Sequence, residues 1–346
     1  MNEKALNPEI IQRLLRQSSR KGSVTSVTQL AGDASTRRYF RVAMNNGSTY
    51  VIMAAPDTGQ TALFAGMTEL MQSLNVDTPG LFAVDDKFAL LEDCGDNLLQ
   101  NEIATLDAAG VEREYRRAID DLVKFQQAAI AAFNTTRQCF NLAFDVEKLM
   151  WEINFANTHF IEGYLGLESN AHKAAMEEWE KIIGDLAARM EVLAHRDFHC
   201  RNILCLRLRR VWIDYQDARM GRRLYDLASL LFDPYAALPE ETVMRLADYY
   251  YETLSQAVKP EWDKERFYEL LNLSALQRIY KALGTYGFQT SVRKVSTYVP
   301  YIEPSVKIIL RLTDEKVEFR GIRELMKQTS ERLNTYAEGT ASTRRS

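Results

Sequence analysis

Apolar and polar positions change their spacing part-way along this chain. From Ser23 to Leu91 the spacing is mostly that of strands. SVTSVTQLA (23–31) and TRRYFRVA (36–43) alternate on either side of Gly32-Asp33-Ala34-Ser35, and the turn NNGS leads into STYVIMA (48–54). Leu63, Phe64, Met67, Leu70, Met71 and Leu74 then recur at helical spacing, before two apolar runs, LFAV (81–84) and FALLE (88–92). The predicted order is strand, strand, strand, helix, strand, strand, preceded by a short amphipathic helix over 8–16.

Beyond Asp96 the 3.6-residue period dominates. It predicts helices over 111–133, 145–162, 171–190, 223–232, 240–257, 263–288, 301–312 and 320–337. Between Leu193 and Asp217 the run LAHRDFHCRNILCLRLRRVWIDYQD interrupts them with a loop and two short β-rich segments turning at Arg209-Arg210. The expected organisation is α+β and bilobal: an antiparallel β lobe with one helix (1–95), a mainly helical lobe carrying the hairpin (96–337), and a polar, disordered tail (338–346).

Composition narrows the function classes. Forty-three Lys and Arg against 47 Asp and Glu give a net charge of −4, with no basic excess to track a phosphate backbone, so nucleic acid is not expected as a partner. The charged N-terminal segment lacks a signal-peptide pattern, and no apolar run reaches the roughly 18 residues of a membrane span. Cys94, Cys139, Cys200 and Cys205 form no C-x-x-C pair, which suits a reducing cytoplasm without disulfides or a zinc site. Oligomeric state has no sequence signal.

The interruption carries the chemistry. His195-Arg196-Asp197-Phe198-His199-Cys200-Arg201-Asn202 fits H-R-D-x-x-x-x-N, and the next β run ends at Ile213-Asp214. Phosphoryl transfer relies on positioning and charge neutralisation, and this trio supplies both. Asp197 is placed to take the proton of an attacking hydroxyl, while Asn202 and Asp214 offer hard oxygen ligands to Mg2+ on the phosphates of ATP. His195 and His199 lack the H-E-x-x-H context of a zinc pair, and His195 is expected to pack and hold the loop.

These motifs, with Leu224-Tyr225-Asp226-Leu227-Ala228, resemble the aminoglycoside phosphotransferase family, small-molecule kinases with a protein-kinase-like fold. GDASTRRYFRV (32–42), LLEDCGDNLL (90–99), HRDFHCRNIL (195–204) and LQRIYKALGTYGF (276–288) further look like the bacterial anomeric N-acetylmuramate/N-acetylglucosamine kinases. The resemblance spans about residues 20–312. It implies phosphorylation of the C1 hydroxyl of an amino sugar in cell-wall recycling, with Asp197 as base, Asn202 and Asp214 as magnesium ligands, and Asp226 as a buried brace; Asp217 could serve the acceptor or the surroundings. It also implies that Gly32 and Ser35 lie in the phosphate-covering loop and that Glu92, Asp93 and Cys94 form the hinge that receives adenine through backbone groups.

The sequence departs from kinases at one place. Met53 stands where a strand lysine commonly meets the phosphates. Either another cation substitutes, with Arg37 or Arg38 the nearest and only one of them facing the nucleotide, or the protein is a non-catalytic binding module. Glu69, where the lysine's partner would lie, reads as a solvated helix position. Aromatic and cationic residues from Arg278 to Tyr301 are candidates for sugar contacts. A kinase of another small hydroxyl compound, such as an aminoglycoside, choline or a different hexose, stays open as an alternative. No D-F-G or A-P-E segment points to a protein kinase.

Overall fold

Asn7 opens the first element. Its side chain accepts the Glu9 amide at 2.9 Å and Pro8 takes the first helical position, starting α1 (Pro8–Gln17). There follow β1 (Val24–Gln29), β2 (Arg38–Met44), β3 (Thr49–Ala54), α2 (Gln60–Ser73), β4 (Leu81–Val84), β5 (Phe88–Glu92) and the short α3 (Leu99–Ile103). Next come α4 (Ala108–Ala131), α5 (Val146–Ala156), α6 (Lys173–Ala187), β6 (Val192–Ala194), β7 (Ile203–Leu206), β8 (Arg209–Trp212) and β9 (Arg219–Gly221). The chain ends with α7 (Leu224–Leu231), α8 (Glu240–Ala257), α9 (Lys264–Ser291), α10 (Ile302–Leu312) and α11 (Arg320–Thr343). This computed structural model describes residues 6–30, 37–134, 136–257 and 262–343, with side chains up to 335.

Two compact units divide the chain. The first runs to Glu102 and takes in Arg201–Gln216; the second holds Ile103–Cys200 and the residues from Asp217 onward.

In the first unit, β1 to β5 form an antiparallel sheet in the order β1-β2-β3-β5-β4. Alternation sends Phe40, Val42 and Met44 of β2 to one face, where Ile52, Ala54 and Leu90 join Ile11, Leu14 and Leu15 of α1 in a continuous apolar core. Tyr39 and Arg41 turn to the other face, opposite Met53 and Val51 in the β2–β3 register. Gly47, at φ 83°, closes that hairpin in a conformation few other residues adopt. The β7–β8 hairpin belongs to this unit rather than to the helical one. The Cys205 amide donates to the Asn97 carbonyl at 2.7 Å, the Trp212 amide to that of Asp77 at 2.8 Å, and Arg209 pairs with Glu92 at 2.9 Å.

In the second unit α9 is the axis. Most of its 28 residues are buried, and its glycines permit very close neighbours: a Cβ on Gly284 would lie 2.7 Å from the Ala156 backbone, and one on Gly287 2.4 Å from the His159 carbonyl oxygen. The α5 helix continues through a wider turn at Asn157–Glu162 that passes this contact. β6 pairs with β9, Ala194 opposite Arg219. The backbone of α11 continues to Thr343, into the segment expected to be disordered. Among the described residues no helix is long and apolar enough to cross a membrane.

Candidate active site

In the second unit the loop leaving β6 is held by two buried aspartates. The His195 and Arg196 amides donate to the Asp226 carboxylate at 2.7 and 3.0 Å, and the Cys200 amide donates to Asp233 at 3.0 Å. Asp226 is the brace expected from the sequence. Asp233 carries no sequence signal beyond the Asp233-Pro234 step two residues past α7. Burial raises the Asp226 carboxyl to about 7, against the two amides that favour its charge. Arg196 adopts φ 84°, which turns the chain sharply before Asp197, and the His195 ring is fully buried as expected.

Asp197 then meets α9. Lys281 Nζ lies 3.0 Å and Arg278 Nη2 3.3 Å from Asp197 Oδ1, and Arg196 Nε lies 3.9 Å from Oδ2. Burial pushes this carboxyl up, but Lys281, Arg278, Arg196 and His199 override it and hold it well below the ordinary carboxylate range. Lys281 is itself lowered to about 8 by burial and by the neighbouring arginines, against the pull of Asp197 and Glu152. Beneath lies Glu152, fully buried, which accepts from Gln277 at 2.9 Å and approaches Lys148 at 3.4 Å and Arg196 at 3.8 Å. Asp217, half exposed, lies 3.8 Å from Arg196.

Of the distal residues named from sequence, the two cations of α9, Arg278 and Lys281, reach Asp197. Tyr280 is buried with its hydroxyl on Asn157, and Tyr286 stacks on the buried Tyr298 at 5.4 Å. They are core. The i, i+3 spacing of Arg278 and Lys281 could have singled the pair out, since it puts both on one helix face.

The first unit carries the other expected residues. Gly32 and Ser35 lie outside the described residues. Arg38 turns to the Phe40 face, its guanidinium 5.7 Å from that ring. Arg37 instead hydrogen-bonds the Tyr39 hydroxyl; burial raises this phenol, Arg37 draws it back and the charge of Asp214 raises it again, so these three groups share one locality. Tyr39 is the β2 partner of the fully buried Met53, which puts Arg37 on the sheet face where the lysine is missing.

The side chains expected at the hinge are already engaged. Arg41 binds Asp93 at 2.8 and 3.0 Å and Asp96 at 2.7 and 2.8 Å, while Glu92 accepts from Gly80 and Arg209. Cys94 is buried, and burial together with Glu92 pushes its thiol up to about 12, which disfavours the thiolate. The Glu92 amide itself donates to the Gly80 carbonyl at 2.7 Å and Glu92 pairs with Tyr50 in the β3–β5 ladder, so the backbone contacts expected with a base fall to Asp93 and Cys94.

In the hairpin, Ile203 pairs with Trp212 and the Ile213 amide donates to the Asn202 carbonyl oxygen at 3.0 Å, so Asn202 and Asp214 stand at the same open end. Asp214 is exposed at φ 64° and accepts from Gln216 at 2.7 Å. Tyr215 turns inward, its hydroxyl 2.9 Å from that of Thr68 on α2 and its ring stacked on Phe64 at 5.7 Å. Glu69 is exposed. A neutral hydrogen bond thus anchors α2 to the residue that follows Asp214. Asn202 and Asp214 are a hard oxygen pair that fits magnesium, an ion that retains waters and takes phosphate oxygens. Among the described residues no group of three or more His, Cys, Asp or Glu forms a metal cage.

The model of the phosphotransferase enzyme family (APH) matches residues 26–268. This chain belongs to that family. As a member of it, the protein is a small-molecule phosphotransferase with the protein-kinase-like fold expected from its motifs. It is 29% identical over 321 residues to an N-acetylmuramate/N-acetylglucosamine kinase of Neisseria meningitidis serogroup B, covering 84% of this chain and 92% of that protein. A kinase of the same name from Pseudomonas putida is 29% identical over 268 residues, covering 76% of each chain. Among solved structures, an amicoumacin kinase in complex with AMP-PNP and Ca2+ superposes with a TM-score of 0.60 at 12% identity, covering 91% of this chain and 96% of that one.

Proposed function

We propose that this phosphotransferase moves the γ-phosphoryl group of ATP to the anomeric hydroxyl of N-acetylmuramate or N-acetylglucosamine. The observation that carries the reading is the gripping of Asp197, in its H-R-D-x-x-x-x-N loop, by Lys281, Arg278 and Arg196. The acceptor comes from relatives of that name which align over most of the chain.

Asp197 is ionised at neutral pH and fixed in direction, so it accepts a hydrogen bond from the acceptor hydroxyl and aims it. Held well below the ordinary range, it is a weak base. The proton therefore passes late, once the hydroxyl oxygen has given its electron pair to phosphorus and the bond to the ADP oxygen has broken, in keeping with a loose transition state. A hemiacetal hydroxyl is more acidic than an ordinary alcohol, which suits such a base. Asn202 and Asp214 would hold Mg2+, which supplies positive charge to the nucleotide phosphates. Arg37 adds a fixed guanidinium on the Met53 face, and the backbone of Asp93 and Cys94 receives the base.

The test is a coupled ADP-release assay of the purified protein on N-acetylmuramate, N-acetylglucosamine, kanamycin and choline, with and without Mg2+. Turnover confined to the amino sugars and abolished by chelator is expected. Preference for kanamycin or choline would overturn the acceptor.

A further inference from the structure

The second unit gathers more positive charge around Asp197 than its carboxylates balance. Lys148, Arg196, Arg219, Arg278 and Lys281 stand against Glu152, Asp197 and Asp217, while Asp226 and Asp233 are engaged by the loop amides and held towards their neutral forms by burial. Most of these cations have a carboxylate: Arg278 and Lys281 hold Asp197, Lys148 approaches Glu152 at 3.4 Å, and Arg196 lies between Glu152, Asp197 and Asp217. Arg219 differs. Its described contacts are the Asp217 backbone oxygen at 3.4 Å and the face of Phe144 at 5.4 Å, and no carboxylate side chain among the described residues pairs with it.

Its position is set by the backbone. Arg219 lies opposite Ala194 in the β6–β9 ladder, and Ala194 is the residue that leads into His195-Arg196-Asp197. Burial and the neighbouring Arg196 work against the charge on Arg219 and outweigh the pull of Glu152 and Asp217, and burial, Arg196 and Arg219 outweigh Glu152 at Lys148. An anion arriving from solution would relieve this crowding.

Beside the cations runs a row of aromatic rings. Lys148 Nζ sits 4.0 Å from the ring centre of Trp151, which is 53% exposed; Trp151 lies 5.2 Å from Phe155, and Phe155 5.6 Å from Phe288 on α9. Half-exposed aromatic faces next to an unbalanced guanidinium suit a pyranose that carries a carboxylate.

We propose that Arg219, assisted by Lys148, binds a carboxylate on the sugar acceptor and so sets the preference for N-acetylmuramate, which carries a lactyl carboxylate, over N-acetylglucosamine, which carries none. The inference rests on the amino-sugar reading above. It assigns Arg219 to specificity and leaves proton transfer to Asp197.

The test compares three acceptors of matched core: N-acetylmuramate, its methyl ester and N-acetylglucosamine. In the parent protein kcat/KM for the acid should exceed that for the ester by about ten- to hundredfold, the range of a charged hydrogen bond. In Arg219→Gln that ratio should fall to within about twofold of unity, and Lys148→Met should lower it by a smaller factor. A parent that uses acid and ester equally overturns the proposal without any variant. So does an acid preference that survives both substitutions. A parent inactive on all three sugars contradicts the amino-sugar reading itself, which separates the two failures. Should Arg219→Gln not fold, the KM of the parent for the acid is measured from low to high salt; a KM that fails to rise relative to that for N-acetylglucosamine overturns the proposal.

Discussion

Lys281 Nζ lies 3.0 Å from Asp197 Oδ1 across 84 residues of chain, so the ammonium that sets the basicity of the loop aspartate comes from the helix that forms the axis of the second unit. The H-R-D loop here has Phe198-His199-Cys200-Arg201 between its Asp and Asn, with no lysine of its own. The nearest charges on the aspartate come from α9, with Arg196 of the loop itself farther off at 3.9 Å.

Replacing Asp197 by Asn should reduce kcat by about 10²- to 10⁴-fold, the usual range for a general base, while nucleotide affinity changes little. Single-turnover kinetics and nucleotide titration measure the two. A variant with parental kcat would remove Asp197 from proton transfer.

Arg37 and Arg38 should behave differently. Arg37→Ala is expected to lose roughly ten- to a thousandfold in kcat/KM for ATP, as for other preorganised charge donors, and Arg38→Ala to stay within about twofold. Steady-state assays at limiting ATP decide this. Equal losses, or none, would mean that the Met53 face is served by another cation.

Lys281 should shape the pH profile. Its proton affinity is lowered to about 8, so it is charged at neutral pH and neutral above that value, and kcat/KM for the sugar should decline as pH rises through about 8. In Lys281→Arg the decline should move beyond the accessible range, since guanidinium keeps its proton. The stability linkage has the opposite sense: with a folded value below the ordinary 10.5, the unfolded chain binds more protons between pH 8 and 10.5, and stability rises with pH there.

Asp226 gives a second pH signature. Its folded value of about 7 lies above the ordinary 3.8, so between those values the native state holds the extra proton and stability falls as pH rises. Asp226→Asn removes this titration and turns an amide towards the His195 or Arg196 N–H. Urea unfolding from pH 4.5 to 7.5 should show the stability gap between parent and variant largest at low pH. A gap constant with pH would contradict protonation of Asp226 in this window.

The parts of this fold that repeat a period were legible in the chain. The alternation of Tyr39, Phe40, Arg41 and Val42 and the apolar stripe of α2 gave the succession of strands and helix along the first unit, though not the place of β5 between β3 and β4, and the 3.6-residue spacing gave the long helices. Three-residue strands such as β6 and β9 are too short to show a period; they form because the chain pairs Ala194 with Arg219. The grouping of the β7–β8 hairpin with the sheet unit was hidden for a similar reason, since Asn97, Asp77 and Glu92 hold it through backbone hydrogen bonds and an ion pair that leave no spacing signal. At the site, the loop motif drew attention to Asp197, Asn202 and Asp214, but the engagement of Asp93 by Arg41 and the convergence of Arg278 and Lys281 depend on contacts far apart in sequence.

The most direct test of the account is phosphorus NMR of the product formed from ATP, Mg2+ and N-acetylmuramate. A sugar phosphate whose phosphorus couples to the anomeric proton, formed by the parent and not by Asp197→Asn, is the expected result. Phosphate on another hydroxyl, or no transfer to either amino sugar, would contradict it.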